Sequence, residues 1–181
     1  MQPVLETERL RLRPFEQSDA KEVQRLAGDI EIARTTLSIP HPYPDGGAEI
    51  WIRQCRKIEG DGYPYAIVTK DNDDLIGCVS LNLAKPHQRA ELGYWLGKSF
   101  WGQGYATEAV KRIIQFGFQE LKLHKIYAIA MTKNPASSNV MKKIGMQFEG
   151  ELKQHIMKWD NFEDIVYYGL MRSEYEQRNI G

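Results

Sequence analysis

The chain has 181 residues, with 24 Lys and Arg balanced by 24 Asp and Glu, and is 42% hydrophobic. That length suits one domain with a real core, and zero net charge argues against a whole-molecule attraction to nucleic acid or an anionic membrane. Two cysteines cannot form a disulfide framework, Met1 to Glu6 lacks the basic-then-apolar start of a signal peptide, and no apolar run approaches the roughly 20 residues of a membrane helix, so a cytoplasmic protein is expected.

Arg9-Leu10-Arg11-Leu12-Arg13 alternates strictly and predicts a half-buried strand with Leu10 and Leu12 inward. Pro14 ends it, and Ser18 and Asp19 offer N-caps for a helix reaching Ala27. Pro40 to Gly47 mixes prolines with glycines and reads as a loop. Beyond it Trp51, Ile52, Cys55 and Ile58 fall on one helical face. Tyr65 to Thr69 and Leu75 to Leu83 form a predicted strand pair around Asp71-Asn72-Asp73-Asp74, and another strand runs from Ala90 to Leu96. A glycine-rich turn, Gly97 to Gly104, leads into a helix from Ala106 to Leu121. Its buried stripe is Ala109, Val110, Ile113, Ile114, Gly117 and Leu121. Ile126 to Met131 is a short apolar strand, Asn134-Pro135 opens a helix closed by Gly145, and Leu152 to Met157 with Ile165 to Met171 form a closing antiparallel pair. This order predicts an α/β (α+β) fold, one mixed, mostly antiparallel twisted sheet with helices on both faces. The whole chain, 1–181, is expected to be a single domain with its core at about 5–171 and a short C-terminal tail.

The stretch carrying chemistry is Trp101-Gly102-Gln103-Gly104-Tyr105-Ala106-Thr107. Glycines between a strand and a helix let backbone N–H groups converge, and the helix terminus adds partial positive charge. The result suits a phosphate or pyrophosphate. A plain connecting turn is the other reading. Two better-known phosphate motifs fail: a dinucleotide fingerprint from Gly102 meets Thr107 where Gly or Ala is required. A P-loop ending at Gly97-Lys98-Ser99 finds Leu92 where its first glycine belongs.

The turn resembles motif A of the GNAT (GCN5-related N-acetyltransferase) superfamily, Arg/Gln-x-x-Gly-x-Gly/Ala, with Gly104 and Ala106 at the diagnostic places and Trp101 replacing the first residue. Thr7-Glu8-Arg9-Leu10-Arg11-Leu12-Arg13-Pro14 resembles the opening of its RimJ/RimL-like branch, which acetylates ribosomal-protein N-termini. Glu91-Leu92-Gly93-Tyr94-Trp95-Leu96 is similar to that branch's fourth strand, and Asn134-Pro135-Ala136-Ser137 to its second cofactor-proximal helix. The resemblance implies a sheet splayed between its fourth and fifth strands, acetyl-CoA as donor and a primary amine as acceptor. It implies the pyrophosphate on the backbone of Gly102, Gln103, Gly104, Tyr105, Ala106 and Thr107, and the pantetheine arm along Trp95 and Leu96. Asn134 and Asn139 are expected contacts of the cofactor, and Tyr43 and Tyr94 of the acceptor. A monomer or homodimer is expected.

Acetylation needs a neutral amine and a proton for the departing thiolate. An α-amine at pKa 7.7–8.0 is about one-tenth neutral at pH 7, whereas a lysine near 10.4 is much harder to deprotonate. Glu91 is the candidate base, its alternative a strand carboxylate facing solvent or paired with Arg89. Ser137 is the candidate acid, its alternative a serine bonded to the first turn's backbone. Many relatives carry a tyrosine acid where this chain has Met141. Asn134 before Pro135 is equally an N-cap. Four scattered histidines and two isolated cysteines predict no metal. Trp159, Phe162, Tyr167 and Tyr168 read as core and cross-strand packing. The sequence thus points to an acetyl-CoA-dependent N-acetyltransferase for a protein or peptide N-terminus, acting by direct attack in a ternary complex. A small-molecule amine as acceptor (polyamine, amino acid or antibiotic) and a non-catalytic acyl-CoA-binding module are the alternatives.

Overall fold

A computed structural model describes residues 2–57 and 60–178; Ile58, expected on the helix face with Cys55, lies outside them. In chain order the elements are β1 (Leu5–Glu6), β2 (Leu10–Arg13), α1 (Ala20–Ala27), α2 (Ile30–Thr35), α3 (Gly47–Lys57), β3 (Gly62–Thr69), β4 (Leu75–Ala84) and β5 (Arg89–Leu96). Then follow α4 (Tyr105–Gln119), β6 (Lys125–Met131), α5 (Pro135–Lys143), β7 (Gln147–Lys158), β8 (Asn161–Met171) and α6 (Arg172–Arg178). The eight strands make one sheet in the order β1-β2-β3-β4-β5-β6-β8-β7.

Period-two alternation gives the sheet two apolar faces. Leu10, Leu12, Tyr65, Ile67 and Leu92 are buried under the stripe of α4, where Ala109, Val110 and Ile113 are fully covered. Ala66, Val68 and Cys78 face the other way, against Val23 of α1 and Ile52 of α3. Every neighbouring pair is antiparallel except β5 with β6, which pairs in parallel from Arg89↔Lys125 to Leu92↔Ala128 and then stops. Gly93 to Leu96 therefore diverge from Ile129 to Met131, the splay expected between these strands, which a two-residue β1 renumbers as fifth and sixth.

Several local expectations are corrected. Asp19 makes no side-chain cap for α1. It is buried, and its two oxygens are already taken up by both Nη groups of Arg13 and by the Glu16 N–H, each at 2.8 Å. Asp29 instead caps α2, a helix absent from the sequence reading, by accepting from the Glu31 N–H at 2.8 Å. The closing strands are longer than predicted, and Trp159 and Phe162 at their turn are exposed rather than core. The hairpin ends beyond the sheet's helical cover, so aromatic type alone was a poor guide there. Tyr167 does stack on Tyr127, with centroids 6.1 Å apart, and Tyr168 is buried. Residues 172–178, expected as part of a tail, form α6, whose Tyr175 ring centre lies 4.9 Å from that of Phe118.

Candidate active site

The splay opens into a cleft of about 740 Å³ between the two halves of the sheet. Of the residues singled out from sequence, Tyr43, Glu91, Tyr94, Trp95, Leu96, Gly102, Gly104, Tyr105, Ala106, Thr107, Asn134, Ser137 and Asn139 all line it. Gln103 does not; its side chain donates back to the Ser99 carbonyl at 3.0 Å, leaving only its backbone to the loop.

One wall is the turn before α4. Gly102 and Gly104 hold φ of +73° and +82°, a region that L side chains rarely adopt. Gly104 is the N-cap of α4 and supplies no side-chain cap, so the first-turn N–H groups meet no side chain of their own helix end. No atom lies within 4 Å of a Cβ built on Gly102. A glycine cradle, uncapped amides and a helix terminus suit a phosphate. Trp101, which also lines the cleft, braces the loop: its indole N–H donates to the Leu96 carbonyl at 2.8 Å.

The second wall is β5. Its pairing with β4 is regular, Glu91 opposite Asn82, Gly93 opposite Ser80 and Trp95 opposite Cys78, so Glu91, Gly93 and Trp95 share one face. Glu91 is half-buried, and burial pushes its carboxyl above the ordinary range, a rise only partly offset by the Tyr127 hydroxyl donating to Oε2 at 3.4 Å. Tyr94 faces the opposite side. Its hydroxyl lies 3.0 Å from Ser137 Oγ, and burial raises its pKa while that hydrogen bond lowers it. Ser137 Oγ thus pairs with Tyr94, across from α5 to β5. Met141, at the place where a tyrosine was sought, is buried in the core.

Asn134 uses both ends of its amide. Oδ1 accepts from the Ser137 N–H at 3.3 Å, capping α5, and Nδ2 donates to the Thr35 carbonyl at 3.2 Å. The third wall, after α2, is therefore tied to the helix that carries Ser137. Residues Thr36 to Pro40 and Tyr43 line the cleft there. From outside, Lys158 donates to the Ile39 carbonyl at 3.2 Å, and the His41 and Trp159 rings lie 6.3 Å apart.

Sequence reasoning missed Tyr127, the partner of Glu91, and Ser80 and Asn82, which line the cleft beside it. Two polar residues at period-two spacing inside the apolar run of β4 were the available signal. Among the described residues, no helix is long and apolar enough to cross a membrane, and no group of three or more His, Cys, Asp or Glu is placed to hold a metal.

A glycine cradle, an open strand edge and titratable hydroxyl and carboxyl groups on the two faces of that strand thus share one cleft, an arrangement that suits acyl transfer from an extended phosphorylated donor. Residues 9–147 match the acetyltransferase (GNAT) domain family. The chain is 31% identical over 173 residues to the uncharacterized N-acetyltransferase p20 of Bacillus licheniformis, covering 94% of this chain and 97% of that one. It is 33% identical over 108 residues to the ribosomal-protein-serine acetyltransferase of Escherichia coli K12, 59% of this chain and 60% of the relative. The spermidine N-acetyltransferase from Vibrio cholerae, solved with CoA and spermine, shares the fold with a TM-score of 0.82 at 22% identity, over 94% of this chain and 99% of that one. The chain belongs to the GNAT acetyltransferase family, and the RimJ/RimL-like resemblance of its motifs is borne out.

Proposed function

We propose that this protein transfers the acetyl group of acetyl-CoA to a primary amine, namely the α-amine of a protein or peptide N-terminus, by direct attack. Bound acetyl-CoA supplies an acyl group already activated as a thioester. The Gly102 to Thr107 backbone holds its pyrophosphate. The edge of β5 that β6 leaves beyond Leu92 receives the amide-bearing arm, since backbone groups there need partners, the Leu96 carbonyl being already held by Trp101.

Alternation along β5 sets the rest. Glu91 and Tyr94 are three residues apart and so emerge on opposite faces of the strand, both into the cleft. A thioester carbonyl at the open edge between them has a base on one side and a hydroxyl pair on the other. Glu91, with its raised pKa, takes the amine proton; the Tyr94–Ser137 pair protonates the thiolate. Cys55 and Cys78 also line the cleft, but burial pushes Cys55 up to about 12 and Cys78 well above its ordinary value. Neutral thiols are poor nucleophiles, which favours direct attack over an acyl-enzyme.

The observation that carries the acceptor assignment is charge. Among the described residues lining the cleft, Glu91 is the single carboxylate. A polyamine brings several ammonium groups that need several anionic partners, whereas an α-amine brings one. Thiol release from acetyl-CoA across peptides with free N-termini and a polyamine series tests this. Turnover should be confined to peptides. Preferred turnover of spermidine would replace the peptide assignment, and no turnover with any amine would favour a non-catalytic binding module.

A further inference from the structure

We propose that Arg9 is a positioning residue for the phosphate loop, aiming the Gly104 N–H and neutralising Glu108; this rests on the acetyl-CoA reading above. Thr7 and Arg9 precede β2, about a hundred positions before the loop, and neither lines the cleft. Yet their polar atoms converge on it. Arg9 Nε donates to Glu108 Oε2 at 2.7 Å and Nη1 to the Gln103 carbonyl at 3.0 Å. The guanidinium carbon lies 4.4 Å from the centre of the Tyr105 ring. Glu108 Oε1 accepts from the Arg9 backbone N–H at 2.9 Å and from Thr7 Oγ1 at 2.6 Å.

The first consequence is directional. In a trans peptide the C=O and the following N–H point in opposite directions. Holding the Gln103 carbonyl towards Arg9 therefore turns the Gly104 N–H away from it, and Gly104 is a lining residue of the cleft. The positive φ of Gly104 allows that peptide plane, but glycine itself is free to leave it. Arg9 removes the freedom.

The second consequence is electrostatic. Residues 101–107 contain no Lys or Arg, and Glu108 stands in the first turn of α4. A carboxylate there suits the helix dipole but repels a phosphate bound at the same terminus. Burial pushes Glu108 up, yet the hydrogen bonds from Thr7 and Arg9 outweigh it and hold the group below its usual range, so it is ionised at neutral pH. Its charge is cancelled by Arg9 rather than by protonation.

The test compares two donors, acetyl-CoA and acetyl-pantetheine, which carries the same thioester without the pyrophosphate. Arg9→Met should raise the KM for acetyl-CoA about three- to fivefold with kcat within about twofold, the size expected for losing a charge-assisted pair at a partly exposed site. Its kcat/KM with acetyl-pantetheine should be that of the wild type. Glu108→Gln added to Arg9→Met should recover part of the lost acetyl-CoA affinity. If Arg9→Met does not fold, Arg9→Lys, which keeps the charge but loses the fork, is read by calorimetric titration with CoA in the same way. Equal losses with both donors, or an unchanged KM for acetyl-CoA, overturn the proposal while leaving the acetyltransferase reading intact. A folded wild type that binds neither donor overturns both.

Discussion

Gly104→Val probes the loop most directly. Gly104 sits at φ +82°, and a Cβ added there would lie 3.3 Å from Arg9 Nη2. If valine keeps that φ, the left-handed backbone costs roughly 1–2 kcal/mol, and somewhat more with a branched side chain. That strain is present with or without ligand, so it appears as stability: a drop in Tm of about 2–8 °C for a chain of this size. If the loop relaxes to negative φ instead, the Gly104 N–H turns out of the cleft. One hydrogen bond to a charged group is then lost, worth about 1.5–3 kcal/mol, or about 10–150-fold in affinity. The branched methyls, directed at Arg9, make relaxation the expected outcome. Isothermal titration of acetyl-CoA into Gly104→Val should show at least a tenfold weaker Kd. Gly150→Val is the control: it has open space for a side chain and lies outside the cleft, so it should bind normally. A folded Gly104→Val that binds acetyl-CoA within threefold of wild type would falsify the phosphate placement.

Three further outcomes are expected. Glu91 must be ionised to act as base, and its raised pKa places the acid limb of kcat above the ordinary glutamate range of about 4.3, with the rate falling as pH drops through it. Glu91→Gln should cost about a hundredfold in kcat with unchanged acetyl-CoA affinity, and Tyr127→Phe, removing a bond that lowers that pKa, should move the limb to higher pH; a limb that stays put excludes Glu91 as the titrating group. Tyr94→Phe and Ser137→Ala should each lower kcat by tenfold or more, while full rates in either would assign the thiolate's proton to water. Asn134→Ala loses a cap worth about 1 kcal/mol and the tie to Thr35, so a thermal melt should fall by a few degrees and the acceptor KM should rise; an unshifted melt refutes the double role.

What the sequence made legible follows from what leaves a local pattern. Leu10 and Leu12 alternate with arginines because one face of β2 is covered and the other is not, and α4 shows its stripe because it lies across the sheet. By contrast β7 is exposed over nearly its whole length, so no buried face marks its start. The six residues of α2 and the seven of α6 are too short to set up a period; Asp29 as cap and Tyr175 against Phe118 hold them instead. In the site, the glycine cradle was readable because its chemistry is contiguous. The pairings Glu91–Tyr127, Tyr94–Ser137 and Arg9–Glu108 join residues 36, 43 and 99 apart, and no local spacing encodes such contacts.

The tie between Lys158 and Ile39 separates the two halves of the cleft in another respect. The wall before α4 is shaped by backbone at Gly102, Gly104 and a helix end, with Arg9 holding the Gln103 carbonyl. The wall after α2 is held by Asn134 on the Thr35 carbonyl and, from more than a hundred positions away, by a hairpin through one ammonium and one pair of rings. Changes in the length or residues of that hairpin turn shift the entrance without touching the donor cradle. On the proposed reading, substitutions outside the cleft can thus reshape its acceptor side while leaving the glycine turn before α4 as it is.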